Sequence, residues 1–144
     1  MDIIPLGFLD IYLAQGNGYP GTNFASSCTG TTFNGPGYNG VDDPSLNDLQ
    51  NDCPTLVDGI GYCQQHGKKI LLSLGGAPGS TDYQLTSTAD AENMADFLWG
   101  AFGPLQAHNT WPRPFDDVTT GTNSVDGFDF DIEVIQPGKN TTFN

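Results

Sequence analysis

The sequence predicts an α/β fold in which parallel strands alternate with helices. Two apolar runs, Ile3–Leu13 and Lys68–Gly76, are short and nearly continuous, as in strands buried in a parallel sheet, and Ser124–Ile135 reads as a third strand. Two stretches with helical spacing lie between them. Strands separated by helices imply parallel pairing through crossovers. Residues 1–144 read as one domain, and 19 glycines and 10 prolines predict extensive loops around it.

The elements follow in order. Ile3–Leu13 carries isoleucines and aromatics among its leucines, and Pro5 puts its start at a bulge or an end. Ala14–Asp52 is crowded with Gly, Asn, Thr, Ser and Tyr and reads as loop. Its length predicts a binding excursion or disorder. A helix starts at Cys53-Pro54, since proline suits a first turn. Leu56, Val57, Ile60 and Cys63 share its apolar face, and Gly67 ends it. Lys68–Gly76 is the second strand, and Ala77–Thr86 is a loop. Ser87 and Asp90 open a second helix as a variant capping box. Ala91, Met94, Ala95, Leu98 and Phe102 form its stripe, and Gly103-Pro104 stops it. Leu105–Asn123 is irregular, and Ser124–Ile135 is the third strand.

Composition narrows the partners. The formal net charge is −13, with 15 aspartates, two glutamates and four basic residues. So few cations cannot neutralise a phosphate backbone or an anionic membrane surface, so nucleic acid is excluded as a partner. A neutral polymer such as a polysaccharide is compatible. No run approaches a membrane span, so no membrane insertion is expected. Met1–Leu6 lacks the basic and apolar regions of a signal peptide, and the chain reads as beginning inside a structural element. Cys28, Cys53 and Cys63 are odd in number. Either one thiol is free or its partner lies on chain outside this sequence. Cys28 would tie the long loop down, most simply to Cys53. Asn140-Thr141-Thr142 is a glycosylation acceptor if the protein is secreted.

The chemistry concentrates in Asp126–Glu133. Side chains alternate along a strand, so Asp129, Asp131 and Glu133 project from one face, with Gly127 leaving room beside them. Phe128, Phe130 and Ile132 face the other way, towards covering helices. Three carboxylates on one face of a buried strand cannot all stay ionised, so at least one pKa rises and a proton is shared. A raised value on the last acid would make it a general acid. Two other readings are a solvated edge strand and a hard-cation site. A row on one strand presents ligands in a line rather than around a sphere, so no metal is assigned. No cofactor is called for.

Asp126-Gly127-Phe128-Asp129-Phe130-Asp131-Ile132-Glu133 resembles the DxxDxDxE signature of glycoside hydrolase family 18 chitinases. Ser73-Leu74-Gly75-Gly76 is similar to that family's SxGG strand, and the two lie about 50 residues apart in the family's order. Cys53–Gly76 and Ser87–Phe102 further resemble the class III, plant and fungal endochitinase branch. The resemblance covers Ile3 to about Ile135. It implies a (β/α)8 TIM barrel of which this chain holds about strands 2 to 4, and hence a partial sequence. A whole barrel needs about 250 residues. It further implies that Cys63 pairs with a cysteine outside this chain, leaving Cys28–Cys53 as the internal pair.

The mechanism implied is substrate-assisted and retaining. Glu133 is the general acid and base, Asp131 orients the substrate's acetamido group, and Asp129 shares a proton with Asp131. Ser73 supports the carboxylates, and Gly75 and Gly76 permit close backbone approach. Asp126 starts the strand and reads as structural ahead of catalytic. Chitin or N-acetylglucosamine oligosaccharides are the implied partners. A secreted, extracellular protein is expected, monomeric at full length, with cell-wall association an option. The 144 residues alone are expected to be inactive. Alternatives are a non-catalytic chitin-binding or inhibitor-like barrel and an endo-β-N-acetylglucosaminidase. Tyr19, Phe33, Tyr38, Tyr83 and Trp111 could stack on sugars, although Trp111, among prolines, reads first as a loop anchor. His66 and His108 read as surface residues and Met94 as core.

Overall fold

The computed structural model describes residues 2–36, 43–77, 83–117 and 121–133. Tyr38, Asn140 and the last two residues of the Ser124–Ile135 run lie outside them. The expected alternation is present. Strand β1 (Ile3–Ile11), helix α1 (Pro54–Gln65), strand β3 (Lys69–Gly76), helix α2 (Thr88–Phe102) and strand β4 (Gly127–Ile132) succeed one another. β1, β3 and β4 pair in parallel. A two-residue strand β2 (Gly21–Thr22), inside the expected loop, adds antiparallel to β1, so the sheet order is β2-β1-β3-β4.

Local chemistry sets the helix ends. Pro54 occupies the first turn of α1, and Gly67 follows the helix at φ +73°, a conformation that side-chain-bearing residues avoid. Ser87 Oγ accepts the Asp90 N–H at 3.1 Å, capping α2 as its sequence predicts. The apolar stripe of α2 differs from the expected one. Phe97, Gly100 and Ala101 are buried with Met94, Leu98 and Phe102, whereas Ala95 is exposed. Volume decides this: Phe97 fills the space between helix and sheet more fully than an alanine could.

The core lies between the sheet and the two helices. Leu9, Leu72 and Leu74 meet Phe97, Ala101 and Phe102, and all are essentially inaccessible to water. Each such side chain contributes about 1.5–3 kcal/mol. Phe24 and Phe115 extend this core, with ring centroids 5.6 Å apart. On β4 the helix-facing row is uncovered: Phe130 is 70% and Ile132 46% exposed. Among the described residues, the helices expected over them are absent.

The described parts of the long loop are ordered. Two arms run antiparallel, with Phe33 N–H donating to Leu49 O at 2.9 Å and Asn51 N–H to Thr31 O at 3.1 Å. The Cys28–Cys53 disulfide joins them at the foot of α1. Cys63 has no disulfide partner among the described residues. No helix among them is long and apolar enough to cross a membrane.

The bridge closes a span of 25 residues, for which loop-closure entropy predicts about 3 kcal/mol. Replacing Cys28 and Cys53 together by serine in the intact protein is expected to lower its stability by about that amount, read from the urea midpoint.

Candidate active site

The two sequence motifs are adjacent strands. β3 and β4 pair in unbroken register, with Ser73 opposite Asp129, Leu74 opposite Phe130, Gly75 opposite Asp131 and Gly76 opposite Ile132. Paired residues on parallel strands share a face, so Ser73, Gly75, Asp129 and Asp131 lie on the face away from the helices. Ser73 is buried, and its hydroxyl donates to Asp129 Oδ2 at 2.8 Å. This hydrogen bond holds the first carboxylate of the row from the neighbouring strand. Asp129 and Asp131 are partly exposed. Glu133 follows Ile132 immediately, beyond the last strand residue, and is exposed. The row is therefore more open to water than a fully buried strand would allow.

Gly75 and Gly76 are there for close contact. Gly75 has φ +112°, and a Cβ on it would sit 2.2 Å from the Asp131 carbonyl oxygen. No other residue fits so close to the acid strand. Gly76 has φ +100°, and a Cβ there would lie 3.2 Å from the ring of Phe8. The Gly76 carbonyl accepts the Tyr83 hydroxyl at 3.1 Å. Tyr83 packs on Tyr12 with centroids 5.9 Å apart. Burial, with neighbouring Tyr83 adding to it, pushes the Tyr12 phenol up to about 12. Phe8, Tyr12 and Tyr83 thus brace the end of β3, a role the sequence reading did not give them. A tyrosine downstream of the Gly75-Gly76 pair is the faint signal that was available.

Asp126 and Gly127 lie at the other end of β4. At about 3.3 Å per residue, the strand carries them far from Glu133. Asp126 Oδ1 accepts from Lys69 Nζ at 2.8 Å, and Oδ2 accepts from the Ile70 N–H and Gln64 Nε2 at 2.9 Å each. Burial opposes its ionisation most strongly. Hydrogen bonds from Lys69, Ile70 and Gln64, with the Lys69 charge, together outweigh burial and hold the carboxyl below its usual value. Asp126 therefore joins α1, β3 and β4. Gly127 does not leave open space: a Cβ there would approach Leu71 Cδ2 at 3.1 Å.

The aromatic residues suggested for sugar stacking are mostly packed. Tyr19 lies against Phe97 with centroids 6.0 Å apart, Phe33 packs against the core, and Tyr83 is buried. Trp111 meets Phe97 edge to face at 5.3 Å, which makes it the loop anchor expected among prolines. His66 and His108 are exposed and Met94 is buried.

Comparison with known proteins agrees with the two motifs. An endochitinase A of Aspergillus niger is 45% identical over 92% of this chain. The chain is homologous to the fungal endochitinases. It spans 10% of the length of that Aspergillus protein. A crystal structure of a chitinase from Ipomoea carnea superposes with a TM-score of 0.61 at 33% identity, covering 94% of this chain and 39% of that one. A xylanase and α-amylase inhibitor protein from Scadoxus multiflorus superposes with a TM-score of 0.60 at 26% identity, covering 94% and 38%. No protein-family model matches the chain. The family 18 resemblance read from Ser73–Gly76 and Asp126–Glu133 is thus borne out by fungal endochitinase relatives and chitinase-like structures.

The depressed pKa of Asp126 sets a pH dependence. Its stabilising effect is fully present above the unfolded carboxyl value, roughly 3.9. It is lost as pH falls through the lower folded value. Asp126→Asn in the intact protein is expected to lower stability at neutral pH, with the gap to wild type narrowing on acidification. Denaturant melts across the acid range check this, and a gap that widens towards low pH would contradict it.

Proposed function

We propose that this chain is the acid-bearing sector of a secreted endochitinase. It would comprise about strands 2 to 4 of a (β/α)8 barrel, with residues 1–144 part of a single catalytic domain. The observation that carries the reading is the Ser73–Asp129 hydrogen bond, which joins the SxGG and DxxDxDxE motifs across one ladder. The fungal relatives named endochitinase support it. The Cys28–Cys53 bridge supports an oxidising, extracellular setting.

In this reading Glu133, at the C-terminal end of β4 where barrel sites lie, donates its proton to the glycosidic oxygen as the leaving sugar departs. The substrate's N-acetyl carbonyl oxygen attacks the anomeric carbon and forms an oxazolinium ion. Asp131 orients the acetamido group and offsets its developing positive charge. Asp129, held by Ser73, shares a proton with Asp131. Glu133 then takes a proton from water, which opens the ring with retained configuration. The substrate is a β-1,4-linked N-acetylglucosamine polymer, a neutral chain compatible with a strongly acidic protein.

A second reading is favoured by the likeness to the xylanase and α-amylase inhibitor: a barrel that binds without hydrolysing. The higher identity to endochitinases and the complete acid row favour the enzyme.

Glu133→Gln in the intact protein decides between them. General acid–base groups contribute about 10²–10⁴-fold. The substitution is expected to remove turnover of N-acetylglucosamine oligomers by at least that factor while chitin binding persists. Unchanged turnover would reject Glu133 as the acid, and a wild type without turnover would favour the inhibitor reading.

A further inference from the structure

Trp99 stands off the apolar stripe of α2 and is 52% exposed. One side of its indole rests on Gly103, where a Cβ would lie 3.1 Å from Cδ2 and Cε3. The missing side chain lets the ring lie against backbone. Opposite, Trp111 rests on Gly100, where a Cβ would meet its Cδ1 at 2.0 Å. Asn109 fixes that wall, since its Nδ2 donates to the Trp111 carbonyl at 2.9 Å. Behind them, Arg113 Nη1 donates to the Gly100 and Gly103 carbonyls at 3.0 and 2.5 Å and fixes the backbone on which the rings rest. Each indole therefore rests on glycine backbone that is itself fixed by hydrogen bonds.

Between them runs a groove of about 480 Å³, also lined by Asp96, Gln106 and His108. The groove is shallow and open to solvent. Its chemistry is selective. Among the described residues no lysine or arginine lines it, so an anion finds no cationic partner of that kind there. The exposed carboxylate, amide and imidazole offer hydrogen bonds that a purely apolar ligand cannot use. A neutral pyranose meets both demands. Its C–H face covers an indole, while its hydroxyl and amide groups reach the polar side chains.

The groove is distant from the acid row. α2 leaves the end of β3 nearest Gly76 and runs back about 22 Å over its 15 residues. The Val125 N–H donates to Phe102 O at 2.9 Å, which sets the groove end of α2 beside the start of β4. Glu133 lies at the other end of that strand.

We propose that the Trp99–Trp111 groove is a second, non-catalytic sugar site that holds the protein on an insoluble N-acetylglucosamine polymer. The identity of the polymer rests on the chitinase reading. The groove itself rests on its own geometry.

The test uses the intact protein and Trp99→Ala and Trp99→Tyr variants, each measured for adsorption to insoluble chitin and for hydrolysis of soluble N-acetylglucosamine oligomers. Trp99→Ala is expected to weaken adsorption about tenfold and leave soluble hydrolysis unchanged, with Trp99→Tyr retaining most of the adsorption. Unchanged adsorption of Trp99→Ala overturns the proposal, and it does so equally if that variant has a lowered melting temperature or has lost self-association, because Trp99 is then a packing or contact residue. Should Trp99→Ala fail to fold, quenching of wild-type indole fluorescence by an N-acetylglucosamine hexamer, reduced in Trp99→Tyr, supports the site, and quenching that is absent or undiminished in that variant overturns it. A wild type that hydrolyses no oligomer rejects the chitinase reading alone, since Trp99-dependent adsorption is read without turnover.

Discussion

Six consecutive residue pairs between β3 and β4, Leu71–Gly127 through Gly76–Ile132, set everything else in this structure. Register in a parallel ladder fixes which side chains share a face. A slip of one residue would turn Asp129 and Asp131 to the helix side and bring Phe128 and Phe130 out beside Ser73. Two side-chain anchors hold the register. Asp126 ties the start of β4 to Lys69 and Ile70 on β3 and to Gln64 on α1. Ser73 ties the middle to Asp129. Like charges on one strand repel, so the anchoring has to come from neighbouring elements.

The surroundings of the ladder serve the same end. Leu72 and Leu74 lie in one core cluster with Phe97 and Phe102, and β3 is the most buried of the three parallel strands. A rigid β3 can then position the more exposed β4. Gly75 allows the backbone of Asp131 to come close, and Phe8, Tyr12 and Tyr83 hold the glycine end. At the opposite end, the Arg113 guanidinium gathers carbonyls from Gly100, Gly103 and Asn123 and pairs with Asp116. It thereby closes α2 against the segment that leads into β4.

Much of this was legible in the residues because local and tertiary preferences agree. The caps of α1 and α2, the three parallel strands and the shared face of Asp129 and Asp131 all follow from period and punctuation. What was not legible depends on contacts distant in sequence. β2 is two residues long and exists because Gly21 and Thr22 meet Ile11 and Leu9. The loop arms are ordered by pairing between residues near 31 and 50, which composition alone does not encode. The stripe of α2 shifted because Phe97 outcompetes Ala95 for buried volume. Gly127 looked like empty space and proved to be filled by Leu71. Trp99 carried a weak signal, a large aromatic off the apolar stripe, whose meaning depends on Gly103 behind it.

The central claim is that the carboxylates on and just beyond β4 carry out substrate-assisted hydrolysis. Its most direct test is the configuration of the first product. Proton NMR of the intact protein acting on an N-acetylglucosamine oligomer resolves the anomeric protons before mutarotation mixes them. The account predicts that the β-anomer appears first, because the acetamido oxygen and then water attack the anomeric carbon in succession. Initial appearance of the α-anomer would mean a single displacement by water, and would contradict the assignment of Asp131 and Glu133.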